Sequence, residues 1–329
     1  MDTLQRLEML LPDEAARAMA ARREVLREVR LRAGRPVQLV LMEGQWLSRS
    51  VIDGALLNRV LAQLADFSLY AREEELRQGF FTLEDGCRVG VCGRLVFDGG
   101  AVTGLSAAGS LCIRVSREVR GCAEVLLPYI LRDGRILSAL ILSPPGLGKT
   151  TLLRELARRL SDGGHCVCVA DERHELAACK NGVPTLDVGL RTDVMDGGPK
   201  ALAMGHMLRA CAPEVIVTDE IGGEGDARAI AEAARCGVSV ICSAHGDGFG
   251  ALARRRALRT VMDTGVFSLG VLLGRPPGTI QEIRLFDGEG GHAVDAGGER
   301  CGGLCAGGNG DGIGVPPKGE GADGAGFGA

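Results

Sequence analysis

The chain has 329 residues and a net charge of −4, with 46% hydrophobic and 24% charged residues. That is the balance of an ordinary globular protein long enough for two cores. The overall excess of acid argues against a protein built chiefly to neutralise nucleic-acid phosphates, although a local basic patch remains open.

The N-terminal stretch "MDTLQRLEMLLPDEAARAMAARR" carries acids early and lacks a basic n-region followed by a small-residue cleavage site, so no secretory signal is expected. No apolar run approaches the ~20 residues of a membrane span. The twelve cysteines are scattered, without a C-x-x-C pair, and several sit in apolar runs such as "HCVCVA". Reduced core thiols are therefore expected.

Residues 1–130 read as an α+β module. Leu4, Leu7 and Leu11, then Ala15, Ala16 and Met19 beyond a break at Pro12, have helical spacing. "VRLRAGRPVQLVL" reads as strand, turn, strand, and a helical segment follows around "LLNRVLAQLADFSLYAREEELRQG". "GFFTLEDGCRVGVCGRLVFDGGAVTGL" has the alternation and Asp-Gly turns of antiparallel hairpins. From about residue 131 to 287 the texture changes. "RILSALIL", "HCVCVA", "PEVIVTDE" and "VSVICSAH" are short apolar strands, separated by helical stretches such as "KTTLLRELARRLSDGG" and "GDARAIAEAARCG". Strands alternating with helices predict an α/β domain with a mostly parallel sheet. Residues 288–329 are glycine-rich and nearly devoid of large apolar side chains, which predicts a disordered tail. Cys301 and Cys305 lie in it with no histidine nearer than His292, a poor basis for a metal site.

Between the first of these strands and its helix stands "SPPGLGKTT", Ser143–Thr151. It matches the phosphate-loop pattern G-x-x-x-x-G-K-[ST] except that Ser143 replaces the first glycine. Gly146 and Gly148 let successive amides turn inward, beside the partial positive charge of a helix N-terminus. Lys149 is placed to reach phosphate oxygens and Thr150 to ligate Mg²⁺. Ser143 is small enough for the loop, although serine disfavours a positive φ and a loss of affinity is one possible consequence. The run "VIVTDE" ends in Asp219 and Glu220: the first can hold the Mg²⁺ shell and the second polarise an attacking water. Loop and acids together favour ATP hydrolysis over mere binding.

These blocks carry a resemblance. "LSPPGLGKTTLLRELAR", "DERHELAACKNGVPTLDVGLRTDVMDGGPK" and "PEVIVTDEIGG" look like the stage III sporulation protein AA ATPases, as do "VRLRAGRP", "SLYAREEELRQGFF", "SREVRGCAEVLLPY" and "GRPPGTI". The likeness spans about residues 1–287. That family is similar to the hexameric ATPases of type II secretion and type IV pili. The resemblance implies a RecA-like P-loop domain behind the smaller α+β domain, with ATP and Mg²⁺ as cofactors. It implies a homo-oligomer, a hexameric ring, working on an integral-membrane component of a sporulation channel complex. The ring would be cytoplasmic, peripheral at the inner face of the membrane on the mother-cell side.

The loop Ser143, Pro144, Pro145, Gly146, Leu147, Gly148, Lys149, Thr150 and Thr151 matches the family's phosphate loop, and Thr150 and Asp219 its metal ligands. Glu220 matches the water-activating acid. Asp171 and Glu172 in "DERH" resemble an acidic box that assists the Mg²⁺ shell, and His245 in "CSAHGDG" a γ-phosphate-sensing histidine. Arg191 and Arg209 lie in shared blocks and are candidates for an arginine supplied across a subunit interface. The alternative reading is a RecA-like nucleic-acid-dependent NTPase. Aromatic residues are only 3% of the chain, too few for a base-stacking platform, and "RRRALR" at 254–259 is the best basic patch. No specific nucleic acid is therefore expected. A third reading, a nucleotide-dependent scaffold, would leave Glu220 idle.

Overall fold

The structure, a computed structural model, describes residues 1–67, 73–77, 79–254, 256–286 and 292–294. Asp2 caps α1 (Thr3–Leu10) by accepting from the Gln5 amide, while the Gln5 side chain accepts from the Asp2 N–H. Leu4, Leu7 and Leu11 are buried, as are Ala15 and Met19 on α2 (Asp13–Ala20). The helical spacing on both sides of Pro12 thus marks the faces that meet the core.

A meander follows: β1 (Leu26–Arg32), β2 (Arg35–Leu41) and β3 (Gln45–Ile52). Asp53 then caps α3 (Gly54–Leu64). The one helical segment expected over 56–79 is broken instead. Asp66 and Phe67 take left-handed backbone, φ 51° and 57°, so the helix cannot continue, and α4 (Glu73–Arg77) is a separate piece. Residues 68–72 and 78 of that segment lie outside the described residues. Strands β4 (Phe80–Thr82), β5 (Arg88–Asp98) and β6 (Ala101–Arg114) complete an antiparallel sheet in the order β3-β2-β1-β6-β5-β4. Gly99 and Gly100, both at positive φ, turn the β5–β6 hairpin as Asp-Gly pairs do. Its far end leaves Leu95, Val96 and Phe97 exposed.

A short helix α5 (Leu127–Ile130) and a two-residue ribbon, β7 (Leu131–Arg132) with β8 (Arg135–Ile136), lead into the second sheet. Its elements are β9 (Ala139–Ser143), α6 (Lys149–Asp162), β10 (Val167–Asp171), β11 (Thr192–Asp196), α7 (Lys200–Ala210), β12 (Val215–Glu220), α8 (Glu224–Arg235), β13 (Ser239–His245) and α9 (Arg256–Asp263). Then come β14 (Leu269–Gly274), β15 (Thr279–Leu285) and β16 (His292–Val294). Strands and helices alternate as the sequence predicts, except that β11 follows β10 without a helix between them and three strands close the sheet. The order is β11-β10-β12-β13-β9-β14-β15-β16, parallel through β14 and antiparallel beyond it.

Every residue of β9 and β10 is buried, which explains why both read as unbroken apolar runs. Ala139 and Ile141 join a core with Leu152, Leu153 and Leu156 of α6. Leu140 and Leu142 point the other way, into a core with Met204 of α7, Ile230 of α8 and Leu258 of α9. Within the basic stretch 254–259, α9 begins at Arg256, and residue 255 lies outside the described residues. The tail expected from residue 288 lies outside them too, apart from β16. The ten described cysteines form no disulfide.

Candidate functional site

Parallel strands present all their carboxyl ends on one side, and in such sheets ligands gather there. Four neighbouring strands, β10, β12, β13 and β9, end in Asp171, Glu220, His245 and Ser143. The phosphate-loop sequence leaves β9 at this edge. Ser143 is fully buried as the last strand residue, and its Oγ donates to the Pro144 carbonyl at 2.7 Å. Positive φ falls instead on Gly146 (75°) and Gly148 (95°), so serine at 143 meets no left-handed strain. Gly148 is the residue from which α6 starts, and its carbonyl accepts from Leu152 N at 2.9 Å. Leu147 is buried, while Pro144, Pro145 and Gly146 are exposed and Thr150 and Thr151 half-buried.

Lys149 lies across the strand ends. Its Nζ donates to the carbonyls of Ser143 (3.1 Å) and Pro144 (3.4 Å) and to Ser143 Oγ (3.2 Å), and lies 2.9 Å from His245 Nδ1. His245 stands opposite Ser143 in the β13–β9 register, which accounts for the meeting. Its Nε2 is 2.9 Å from Glu220 Oε2. An Nδ1 that accepts from an ammonium leaves the proton on Nε2, so the imidazole donates to Glu220. Lysine, histidine and glutamate, successively 96 and 25 residues apart in sequence, thereby form one hydrogen-bonded chain. Burial pulls the Lys149 ammonium down to about 8, against the pull of Glu220 and Glu175.

Asp219 is buried beside this chain, and burial pushes its carboxyl up to about 6, although the nearby Lys200 opposes the rise. Its Oδ1 accepts from Lys200 Nζ, and its Oδ2 is buried without a hydrogen-bond partner. A buried carboxylate oxygen left open is the donor chemistry that a hard divalent cation takes, and Thr150, second residue of α6, offers a hydroxyl of the same hard character. The glycine cradle, Lys149, Thr150 and Asp219 therefore fit a magnesium-bound triphosphate. Glu172 is close by, its Oε2 3.2 Å from Lys200 Nζ.

Three of the expected residues lie outside the Lys149–His245–Glu220 chain. Asp171 is fully buried, and its carboxylate accepts from the amides of Glu175, Leu176 and Ala177 at 2.8–3.0 Å. Its carboxylate thus anchors the backbone of the loop that follows β10. Arg191 is exposed at the opposite edge of the sheet, where its Nη1 donates to the Ser161 carbonyl at 3.3 Å. Ser161 is twelve residues along α6 from Lys149, about 18 Å at the helical rise. Arg209 likewise sits at the far end of α7 from Lys200, about 13 Å along that helix. Neither arginine reaches the site of its own chain.

Two further contacts have no signature in the phosphate-loop pattern. Arg27, on β1 of the other sheet, donates from Nη2 to the Gly146 carbonyl at 2.9 Å. Gly278, in the "GRPPGTI" block between β14 and β15, donates its amide to the Leu147 carbonyl at 3.1 Å. The loop is thus braced from both ends of the molecule. Lys200, at the start of α7, also went unmarked in sequence, although "GGPK" hints that a lysine begins a helix after a tight turn.

Comparison with known proteins agrees with the fold. The chain is similar in fold to the ATPase DotB of Legionella pneumophila, with a TM-score of 0.51 and 15% identity over 84% of this chain and 81% of that one. The pilus retraction motor PilT, solved with ADP, gives a TM-score of 0.51 and 14% identity over 84% and 80% of the two chains. These likenesses mark a RecA-like α/β fold with a mostly parallel sheet, preceded here by a separate antiparallel sheet with its helices. In sequence, stage III sporulation protein AA of Bacillus subtilis (strain 168) is 41% identical over 271 residues, which is 80% of this chain and 88% of that protein. The family model described as sporulation stage III, protein AA matches residues 8–292, so the chain belongs to that family.

Proposed function

We propose that this protein is a magnesium-dependent ATP hydrolase that works as a ring-shaped motor. In this reading residues 1–130 form one module, residues 131–287 the ATPase domain and residues 288–329 a tail. The observation that carries the reading is the hydrogen-bonded chain Lys149–His245–Glu220, with the open Asp219 oxygen beside it and the glycine loop at its head. When bound at Thr150 and Asp219, magnesium neutralises phosphate charge as a Lewis acid. The residues of the chain do the rest. Amides around Gly146 and Gly148 bind phosphate oxygens, and the Lys149 ammonium exchanges its loop carbonyls for them. Glu220, oriented through Nε2 of His245, accepts the proton of the attacking water. Lys149 and Glu220 share His245, so a phosphate that draws Lys149 away alters the group that orients the base.

Family membership supports a role in sporulation. We extend it to a hexamer at the cytoplasmic face of the membrane, on the mother-cell side, that energises a channel complex between mother cell and forespore. No helix among the described residues is long and apolar enough to cross a membrane, so the anchor in this reading is an integral-membrane partner. If Arg191 or Arg209 acts in phosphoryl transfer, it acts in a neighbouring subunit's site.

Phosphate release by the purified full chain with Mg²⁺ and ATP tests the reading. Glu220→Gln is expected to keep nucleotide affinity and lose at least about a hundredfold in turnover. Lys149→Ala is expected to lose binding itself. Equal turnover in all three proteins, or turnover that appears only with single-stranded DNA, would overturn it.

A further inference from the structure

Lys200 is only 3% exposed, yet it carries a full ammonium at the first residue of α7. A cation at a helix N-terminus opposes the helix dipole, and an ammonium taken out of water is costly unless it is paired. Both penalties are met by acids and a carbonyl at the strand ends. Nζ donates to Asp219 Oδ1 and to the Glu220 carbonyl, and lies 3.2 Å from Glu172 Oε2. Two of the three ammonium protons have hydrogen-bond acceptors, and the Glu172 carboxylate stands within ion-pair distance. Lys200 is thus committed to the acids and the carbonyl at the strand ends and acts through the groups it holds.

The consequence falls on Asp219. One carboxylate oxygen is fixed by Lys200, and the other, Oδ2, is buried with no hydrogen-bond partner among the described residues. A carboxylate gripped at one oxygen has its plane set, so the second oxygen points in one direction. Lys200 also ties Asp219 to the Glu220 backbone next door, so the two acids of "VIVTDE" turn as one unit. Nothing else in the described structure donates to Asp219. We infer that Lys200 is a positioning residue for the divalent cation: it aims the free Asp219 oxygen at the metal and balances the buried negative charge.

This inference rests on the nucleotide-site reading above. The test measures how much Mn²⁺ the full chain needs for half-maximal binding of ATPγS, followed by calorimetry and by manganese spin resonance, with no turnover required. Lys200→Gln is expected to raise that manganese concentration about tenfold or more, the usual cost of losing a partner behind a metal ligand. Metal-free nucleotide affinity, held by the loop, should stay unchanged, and Lys200→Arg should recover most of the manganese response. Because Lys200 acts through Asp219, Asp219→Asn and the double variant Asp219→Asn/Lys200→Gln should need the same manganese concentration. That pair replaces the charge at both positions, so it decides the matter if Lys200→Gln alone does not fold.

An unchanged manganese requirement in Lys200→Gln overturns the inference. So does a lowered one, which would mean that the ammonium competes with the metal, or additive losses in the double variant. Absence of nucleotide uptake by the wild type would remove the site reading and this inference together. Normal uptake with an unchanged manganese requirement would remove this inference alone.

Discussion

Glu155 shows what single residues contribute away from the chemistry. It is buried on α6, where burial alone would raise its carboxyl above the ordinary 4.5. Two hydrogen bonds from Arg158, at 2.7 and 2.8 Å, and one from the Gly121 amide at 2.7 Å outweigh that and hold it lower. A carboxyl lowered on folding contributes stability that is fully present above about 4.5 and is lost as pH falls toward the folded value. Glu155→Gln should therefore be less stable than the wild type at pH 7, with the gap shrinking below about pH 4.5. Urea unfolding at a series of pH values reads this directly, and a gap that widens in acid would contradict the assignment. At this scale the sequence was legible where a residue's role follows from its neighbours in the chain, as for Gly146, Gly148, Lys149 and the Asp219-Glu220 pair. It was not legible for Lys200 or Arg27, whose partners arrive from other strands or from the other sheet. The amide contacts of Asp171 were not legible for a related reason. An acid at a strand end looks the same in sequence whether it faces a metal or the amides of its own loop.

At the scale of elements, α6 joins the phosphate loop to the rest of the molecule. Its Arg154 is buried and donates to the carbonyls of Leu176 (2.6 Å), Glu175 (2.6 Å) and Arg117 (2.9 Å). The helix start thus fixes both the loop after β10 and the linker that enters the second sheet. Arg154→Met keeps the apolar stem but strands one buried carbonyl, of Leu176, and two on half-buried residues, at up to about 1–3 kcal/mol each. Allowing for relaxation, a loss of about 3–5 kcal/mol is expected in denaturant unfolding, and a loss below 1 kcal/mol would show that water substitutes freely. Most elements were readable because their periods are clean: two for β5 and β6, unbroken apolar runs for β9 and β10. α7 was not, since Leu202 and Ala201 leave no single apolar stripe. Buried against β10, β11 and α8, it is held by contact on several sides. The break after α3 escaped notice because Asp66 and Phe67 carry no glycine or proline to announce it.

The whole molecule depends on the span between β10 and β11. It has almost no regular structure of its own, and its contacts cross to the first sheet: Glu175 to Arg88 at 2.5 Å, Lys180 to the Glu84 carboxylate, Thr185 Oγ1 to the Glu84 carbonyl and the Arg173 carbonyl to Thr82 at 3.4 Å. Asp187 closes it on the linker through Arg120 at 2.7 Å and the Glu118 carboxylate at 2.8 Å. No local pattern announces such a span, because its partners on the first sheet and on the linker are distant in the chain. Suppose an expression vector encoded only residues 131–287. The stretch beyond Ala177, which Asp171 and Arg154 still hold at its start, would then lose its partners on the first sheet and the linker and slacken like a loose rope, offering Lys180 to trypsin. Rapid cutting there in the shortened protein, and slow cutting in the intact one, is the expected gel pattern. Equal resistance would mean that the two halves are separable modules, which neither half could be if each supplies the other's missing wall.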